Sequence, residues 1–189
     1  MNHVMLDIET IGKGSNAAII SIGAVFFCPD VNKVGAEFHT VIDPASAAYY
    51  GDMDASTMKW WMQQEGDARA LFNRPDAVKL KDALSEFHEW VSQIEVMKER
   101  IIWGNGATFD NVILANAYRS ARMRQPWAYY NDRDVRTLVA LGRELLNFDP
   151  KKELPFEGVK HDALDDARHQ AKYVNAIYQA LKSGTQCVI

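Results

Sequence analysis

Asp7-Ile8-Glu9-Thr10 places two acids on a stretch that otherwise reads as a core strand. Val4, Met5, Leu6 and Ile8 supply a short apolar run, which closes at Thr10 and Gly12. Residues two apart on a strand leave the same face, so the Asp7 and Glu9 carboxylates project side by side. Like charges held that close repel, and burial sharpens the repulsion unless a cation stands between them. A hard divalent cation with oxygen ligands resolves the conflict. The competing reading, an exposed strand edge, needs no metal.

A second acid follows a second strand end. Ile101-Ile102-Trp103 reads as buried strand, and Gly104-Asn105-Gly106 breaks it. A helix is expected to begin near Thr108, which can cap it, leaving Asp110 in the first turn where the helix dipole favours an anion. First-turn acids are common without function. This one lies beyond the carboxyl end of its strand, where open α/β sheets bind ligands.

The third site is His161-Asp162-Ala163-Leu164-Asp165-Asp166-Ala167, opening the last helix. At about 100° per residue, Ala163, Ala167, Val174, Ile177, Tyr178 and Leu181 form one apolar stripe. Asp165 falls opposite that stripe and reads as a solvated surface acid. Asp166 lies on its flank, beside small residues that admit a close neighbour, and an acid there needs a partner. Asp162 reads as a cap. His161 precedes the first turn, on a mobile loop end; taken alone it is a solvated loop residue.

Together the four acids are oxygen donors suited to two Mg2+ or Mn2+ ions, which can clamp the attacking and leaving oxygens of a phosphodiester displacement. A neutral imidazole nearby can take a proton from a water, a role histidine suits near neutral pH.

Asp7-x-Glu9-Thr10, Phe109-Asp110 and His161-x-Ala163-x-x-Asp166-Ala167 resemble, in order, the three motifs of the DEDDh 3'→5' exonucleases. That superfamily includes ribonuclease T, oligoribonuclease and the proofreading subunit of DNA polymerase III. The resemblance covers residues 4–181. It implies a ribonuclease H-like fold, two divalent metals, and release of nucleoside 5'-monophosphates from a free single-stranded 3' end of DNA or RNA. It also implies that Asp7, Glu9, Asp110 and Asp166 are metal ligands and His161 the general base. The terminal 3'-hydroxyl is then expected beside the backbone of Glu9, Thr10 and Ile11. Asn105, Phe109 and Trp61 complete the expected substrate contacts. Pairing among relatives extends the expectation to a homodimer. Thr57 to Gln64 and Arg133 to Thr137 resemble a small bacterial and phage subgroup.

Trp60 and Trp61 point about 100° apart on a helix, so one can pack in the core while the other stacks a nucleobase; core packing of both is the alternative. Arg119, Arg122, Arg124, Arg133 and Arg136 could touch phosphates, though Arg122 and Arg124 cannot share a helix face and a solvated surface explains them as well. Asp134 reads equally as a helix cap or a substrate contact. Two rival classes remain: a small nucleotide phosphohydrolase, and a catalytically silent nucleic-acid-binding module. The silent module is expected to lack one of the five site residues. No P-loop or GxSxG motif points to NTPase or serine-hydrolase chemistry.

These residues need a scaffold, and the chain is long enough for one domain spanning residues 1–189. Hydrophobic content of 48% suits a globular enzyme. A net charge of -4 restricts nucleic-acid contact to local basic patches or to metal ions. No apolar run is long enough to cross a membrane, and no leader pattern opens the chain. Cys28 and Cys187 are far apart, so neither a disulfide framework nor a zinc site is expected, and a cytoplasmic setting is. Strands are predicted over residues 3–8, 17–27, 34–42 and 101–103. A short helix carrying Trp60 and Trp61 is predicted to open at Asp54-Ala55-Ser56-Thr57, and longer helices are predicted near 75–97, 109–122, 134–146 and 162–182. Three meandering strands followed by strand–helix alternation predict an α/β fold, a mixed five- or six-stranded sheet flanked by helices.

Overall fold

The computed structural model describes residues 1–184. Five strands, β1 (His3–Thr10), β2 (Ile19–Cys28), β3 (Lys33–Val41), β4 (Ile101–Gly104) and β5 (Asp132–Asp134), form one mixed sheet ordered β3-β2-β1-β4-β5. The helices are α1 (Pro44–Tyr50), α2 (Ala55–Met62), α3 (Gly66–Arg69), α4 (Leu80–Val91), α5 (Asp110–Ser120), α6 (Val135–Leu146), α7 (Pro150–Glu153) and α8 (Ala163–Gly184). Strands β1, β2 and β3 meander antiparallel, whereas β4 and β5 run parallel to β1. Three carboxyl strand ends therefore open on one edge of the sheet, where a ligand site is expected. Among the described residues, no helix is long and apolar enough to cross a membrane. Cys28 is a free thiol, and Cys187 lies outside the described residues.

The alternation of β1 divides the core. Val4, Leu6 and Ile8 join the apolar layer under α4 and α5, built on Phe87, Val91, Leu114 and Tyr118. Met5 joins the opposite layer with Val139, Val174 and Ile177 of α6 and α8. Strand β2 is buried over nearly its whole length, as its unbroken apolar run predicts. Asp7 and Glu9 share the Met5 face. That face is apolar in the middle of the sheet and turns acidic where α8 begins. Gly23 pairs with Asp7, and a Cβ there would overlap the Ala163–Leu164 peptide. The first turn of α8 thus lies directly on the sheet beside the two acids.

Three sequence expectations need correction. The helix predicted over 75–97 is confined to Leu80–Val91. Val78 instead hydrogen-bonds to Val41 and accepts from Asp43, bridging Ile42 as an extension of the sheet edge. Thr108 does not cap α5; Phe109 holds that position without a side-chain hydrogen bond. The short strand β5 went unpredicted, because Asp132-Arg133-Asp134 has no apolar residue to mark it.

Candidate active site

The site is assembled at the carboxyl edge of the sheet from β1, the β4–α5 turn and α8. Asp110 enters at the first turn of α5, with Oδ1 3.4 Å from the Ile8 amide. Ile8 lies between Asp7 and Glu9, so this long contact links the second acid to the first pair. Asp166 faces the same point from α8, and its Oδ2 accepts from the His161 amide at 2.9 Å. Oxygens of Glu9 and Asp166 and a ring nitrogen of His161 lie within 4.8 Å of one another. One small volume is therefore bounded by residues from both ends of the chain.

Electrostatics mark the acids as a group that wants a cation. Burial, with Asp110 and Asp166 adding repulsion, pushes the Asp7 carboxyl well above its usual pKa. Glu9 is raised in the same way by burial and then by Asp7 and Asp166. Burial lifts Asp110 to about 7, and burial also raises Asp166. Four carboxyls shifted in one direction are four groups whose ionised forms lack compensation. The only side-chain donor bonded to Asp7 among the described residues is Gln170 Nε2, at 2.8 Å. The all-oxygen donor set fits Mg2+ or Mn2+ better than a soft metal.

Several contacts escaped the sequence reading. Gln170 was missed, although it follows Asp166 by one helical turn on the same side of α8. Asp134 caps α6 through the Thr137 amide at 2.8 Å and also accepts from the Ala107 amide at 2.8 Å. It thereby ties the turn carrying Asp110 to α6. Asp162 caps α8 as expected, accepting from the Leu164 and Asp165 amides.

Asp165 is not the free surface acid that helix phase alone predicts. The 156–161 loop folds over it, and its Oδ2 accepts from the Val159 amide at 2.9 Å. Arg168 joins Asp165 to Glu37 on β3, bonding each through its guanidinium. Gly158, at φ 107, packs so tightly on Asp165 that a Cβ would overlap the carboxylate. His161 is accordingly no mobile loop end. It holds a left-handed backbone, φ 66, costly for a residue with a Cβ. Its ring packs edge-on against Trp60 with centroids 4.9 Å apart.

The expected substrate residues divide. Thr10 lines a cleft of about 540 Å³ with Glu9, Thr57, Trp60 and Phe109. Its hydroxyl donates to the Gly12 carbonyl and its own carbonyl accepts from Trp61. Asn105 lies across His161 and Asp166 from that cleft, and its buried Oδ1 has no partner. Trp61 is only 2% exposed, so its face is closed to a nucleobase; Trp60, at 38%, is the open one. Ile11 is likewise sealed, since its amide donates to Ala18 and its carbonyl accepts from Asp54. The arginines do not form one patch: Arg119 bonds Asn116, Arg133 bonds local carbonyls, and Arg136 alone lies beside the Gly106 turn.

The model of the 3'-5' exoribonuclease Rv2179c-like domain family matches residues 2–178. An exodeoxyribonuclease of Enterobacteria phage T4 is 25% identical over 192 residues, covering 88% of this chain and 84% of the phage protein. Among solved structures, the nuclease domain of 3'hExo, a DEDDh family member bound to rAMP, superposes with a TM-score of 0.65 at 14% identity. That superposition covers 96% of this chain and 92% of the other. Pop2p of S. pombe, in its Mg2+- and Mn2+-bound form, gives 0.64 at 13% identity, covering 98% and 86%. Exonuclease I of E. coli in complex with a dT13 oligonucleotide gives 0.64 at 13% identity, covering 96% and 42%. At those identities the structures share this fold.

Proposed function

Because the chain belongs to the 3'-5' exoribonuclease Rv2179c-like domain family, and so is a 3'→5' exonuclease, we propose that it removes nucleoside 5'-monophosphates from single-stranded 3' ends with two divalent cations. One observation carries this reading: Asp7, Glu9, Asp110 and Asp166 meet at one sheet edge, each raised in pKa, with a His161 ring nitrogen within 4.8 Å of oxygens of Glu9 and Asp166. A silent binding module has no use for that uncompensated charge, which would persist only as a loss of stability.

Asp7, Glu9, Asp110 and Asp166 are the proposed ligands of Mg2+ or Mn2+. Bound there, the cations would offset charge on the scissile phosphate and ease deprotonation of the attacking water. The imidazole of His161 takes that proton. Its position rests on the Asp166 bond to its amide and on the Trp60 ring. The water oxygen forms a bond to phosphorus as the P–O3' bond breaks. The terminal nucleotide leaves with a 5'-phosphate, and the shortened strand keeps a 3'-hydroxyl. The cleft between Trp60 and Phe109 takes the terminal nucleoside, with one indole face available for stacking.

The family description says exoribonuclease, whereas the phage relative is an exodeoxyribonuclease. Single strands of RNA and DNA, labelled at either end, separate the two on a gel with Mg2+ or Mn2+ present. Stepwise shortening from the 3' end, abolished by EDTA and by Asp7→Ala, is expected for at least one sugar. Efficient cutting of a circular single strand, or full activity in EDTA, would overturn the proposal.

A further inference from the structure

A second cleft, of about 410 Å³, borders the other side of the acid cluster. It includes His161 and Asp166, whereas the Trp60–Phe109 cleft includes Glu9. Because polar atoms of Glu9, His161 and Asp166 lie within 4.8 Å of one another, the reacting phosphate would sit where the clefts meet. The second cleft, which includes Asp166 as well as His161, gives a strand whose last nucleoside fills the first a path past the acid cluster.

The chemistry of the second cleft differs from that of the first. Lys151 and Lys160 line it, and among the described residues neither ammonium pairs with a carboxylate. The one acid that acts on Lys151, Asp149, is already paired with Arg143. Burial, followed by Arg136 and Arg143, holds the Lys151 ammonium below its usual pKa, as expected of a cation among cations. Two residues that line the cleft also hold buried polar atoms without partners behind it. Gln170 Oε1 and His169 Nδ1 have no partner, and the two residues are 4% and 7% exposed. Cations without anions, lining a cleft that adjoins the acid cluster, describe an anion-binding site.

We propose that Lys151 and Lys160 bind the phosphate on the 5' side of the penultimate nucleotide, one unit upstream of the bond being cut. This rests on the exonuclease reading. The ligand is an oligonucleotide backbone phosphate, bound as a point charge by two ammonium groups. The site is indifferent to base identity, and it makes two nucleotides plus the upstream phosphate the smallest substrate to use every contact.

The test compares a dinucleotide carrying a 5'-phosphate with the same dinucleotide carrying a 5'-hydroxyl, in ribo and deoxyribo forms. Each is cut to a monophosphate at its one internal linkage, so only the upstream phosphate differs. The wild type should favour the phosphorylated form in kcat/KM by roughly tenfold or more, the effect of charge-assisted bonds to one phosphate. In K151A/K160A that ratio should fall towards one, whereas K151R/K160R should keep most of it. The ratio is internal to each variant, so partial unfolding does not alter it. On longer strands the double alanine variant should lower the salt dependence of KM by about one unit of slope, the loss of one phosphate contact. A wild type indifferent to the 5'-phosphate, or a double variant that keeps the preference, overturns the subsite. Strands that shorten from the 3' end while neither dinucleotide is cut overturn the subsite alone; no shortening of any strand overturns the exonuclease reading and this inference with it.

Discussion

Removing one charge from the acid cluster should make the metal-free protein more stable, and Asp110→Asn is the cleanest way to do it. Asp110 is 4% exposed, and burial lifts its carboxyl from 3.8 to about 7. A shift of that size corresponds to roughly 4 kcal/mol against the ionised form in the folded state. Asparagine keeps an acceptor for the Ile8 amide, occupies nearly the same volume and is neutral at every pH. Because the folded pKa lies above the unfolded one, the carboxyl's contribution is complete below pH about 4 and is lost as pH rises through about 7. The variant keeps at pH 8 what the wild type has lost there. For a chain of this length, 4 kcal/mol is a rise in Tm of roughly 8–16 °C.

The assay is thermal unfolding of both proteins in EDTA at pH 4 and pH 8. Surface pairs such as Arg168–Glu37 weaken in acid equally in both, so the difference between proteins isolates residue 110. A gain near zero at pH 4 and large at pH 8 is expected. Added Mg2+ should then raise the wild-type Tm more than that of the variant, since binding to the folded state offsets the cost of the same buried charge. An Asp110→Asn protein no more stable than wild type at pH 8, or one equally stabilised at both pH values, would refute the claim that these acids lack compensation.

Three further outcomes follow from the same geometry. His161→Ala should lower kcat by ~10²–10⁴ and leave the Mg2+-induced rise in Tm largely intact, because it removes proton transfer and not the carboxylates. Steady-state kinetics alongside thermal melts checks both halves. Asp165→Ala should release the Val159 amide and lower kcat by up to ~100-fold through misplacement of His161, with Asp165→Asn retaining more. Unchanged kcat in Asp165→Ala would mean the loop is held without it. Trp60→Ala should raise KM by roughly 5–100-fold through lost stacking. Trp61→Ala, at a buried position bonded to Thr10, should instead cost about 3–5 kcal/mol of stability. A stable Trp61→Ala with a raised KM would reverse their roles.

The residues legible in the sequence were those whose type conflicts with their local pattern. Two acids on an apolar strand, and an acid beside alanines on a packed helix, each announce a missing partner, and the structure brings them together. What the sequence concealed depends on long-range pairing. Strand β5 has no apolar alternation and exists because Ile102, Trp103 and Gly104 offer it a parallel partner. Val78 left the predicted helix because Val41 and Asp43 take both of its backbone groups. Asp165 is the clearest case. Helix phase placed it correctly, on the side of α8 away from the apolar stripe, and still gave the wrong environment. Periodicity describes a helix against its core and says nothing of a loop that crosses the outer face. Here the loop reaches Asp165 because Gly158 can adopt φ 107 and leaves room for the carboxylate. A glycine seven residues before Asp165 is unremarkable as sequence. In the fold it lets an acid outside the proposed ligand set hold the segment that ends in His161, so the histidine's position depends on a residue that binds no metal in this reading.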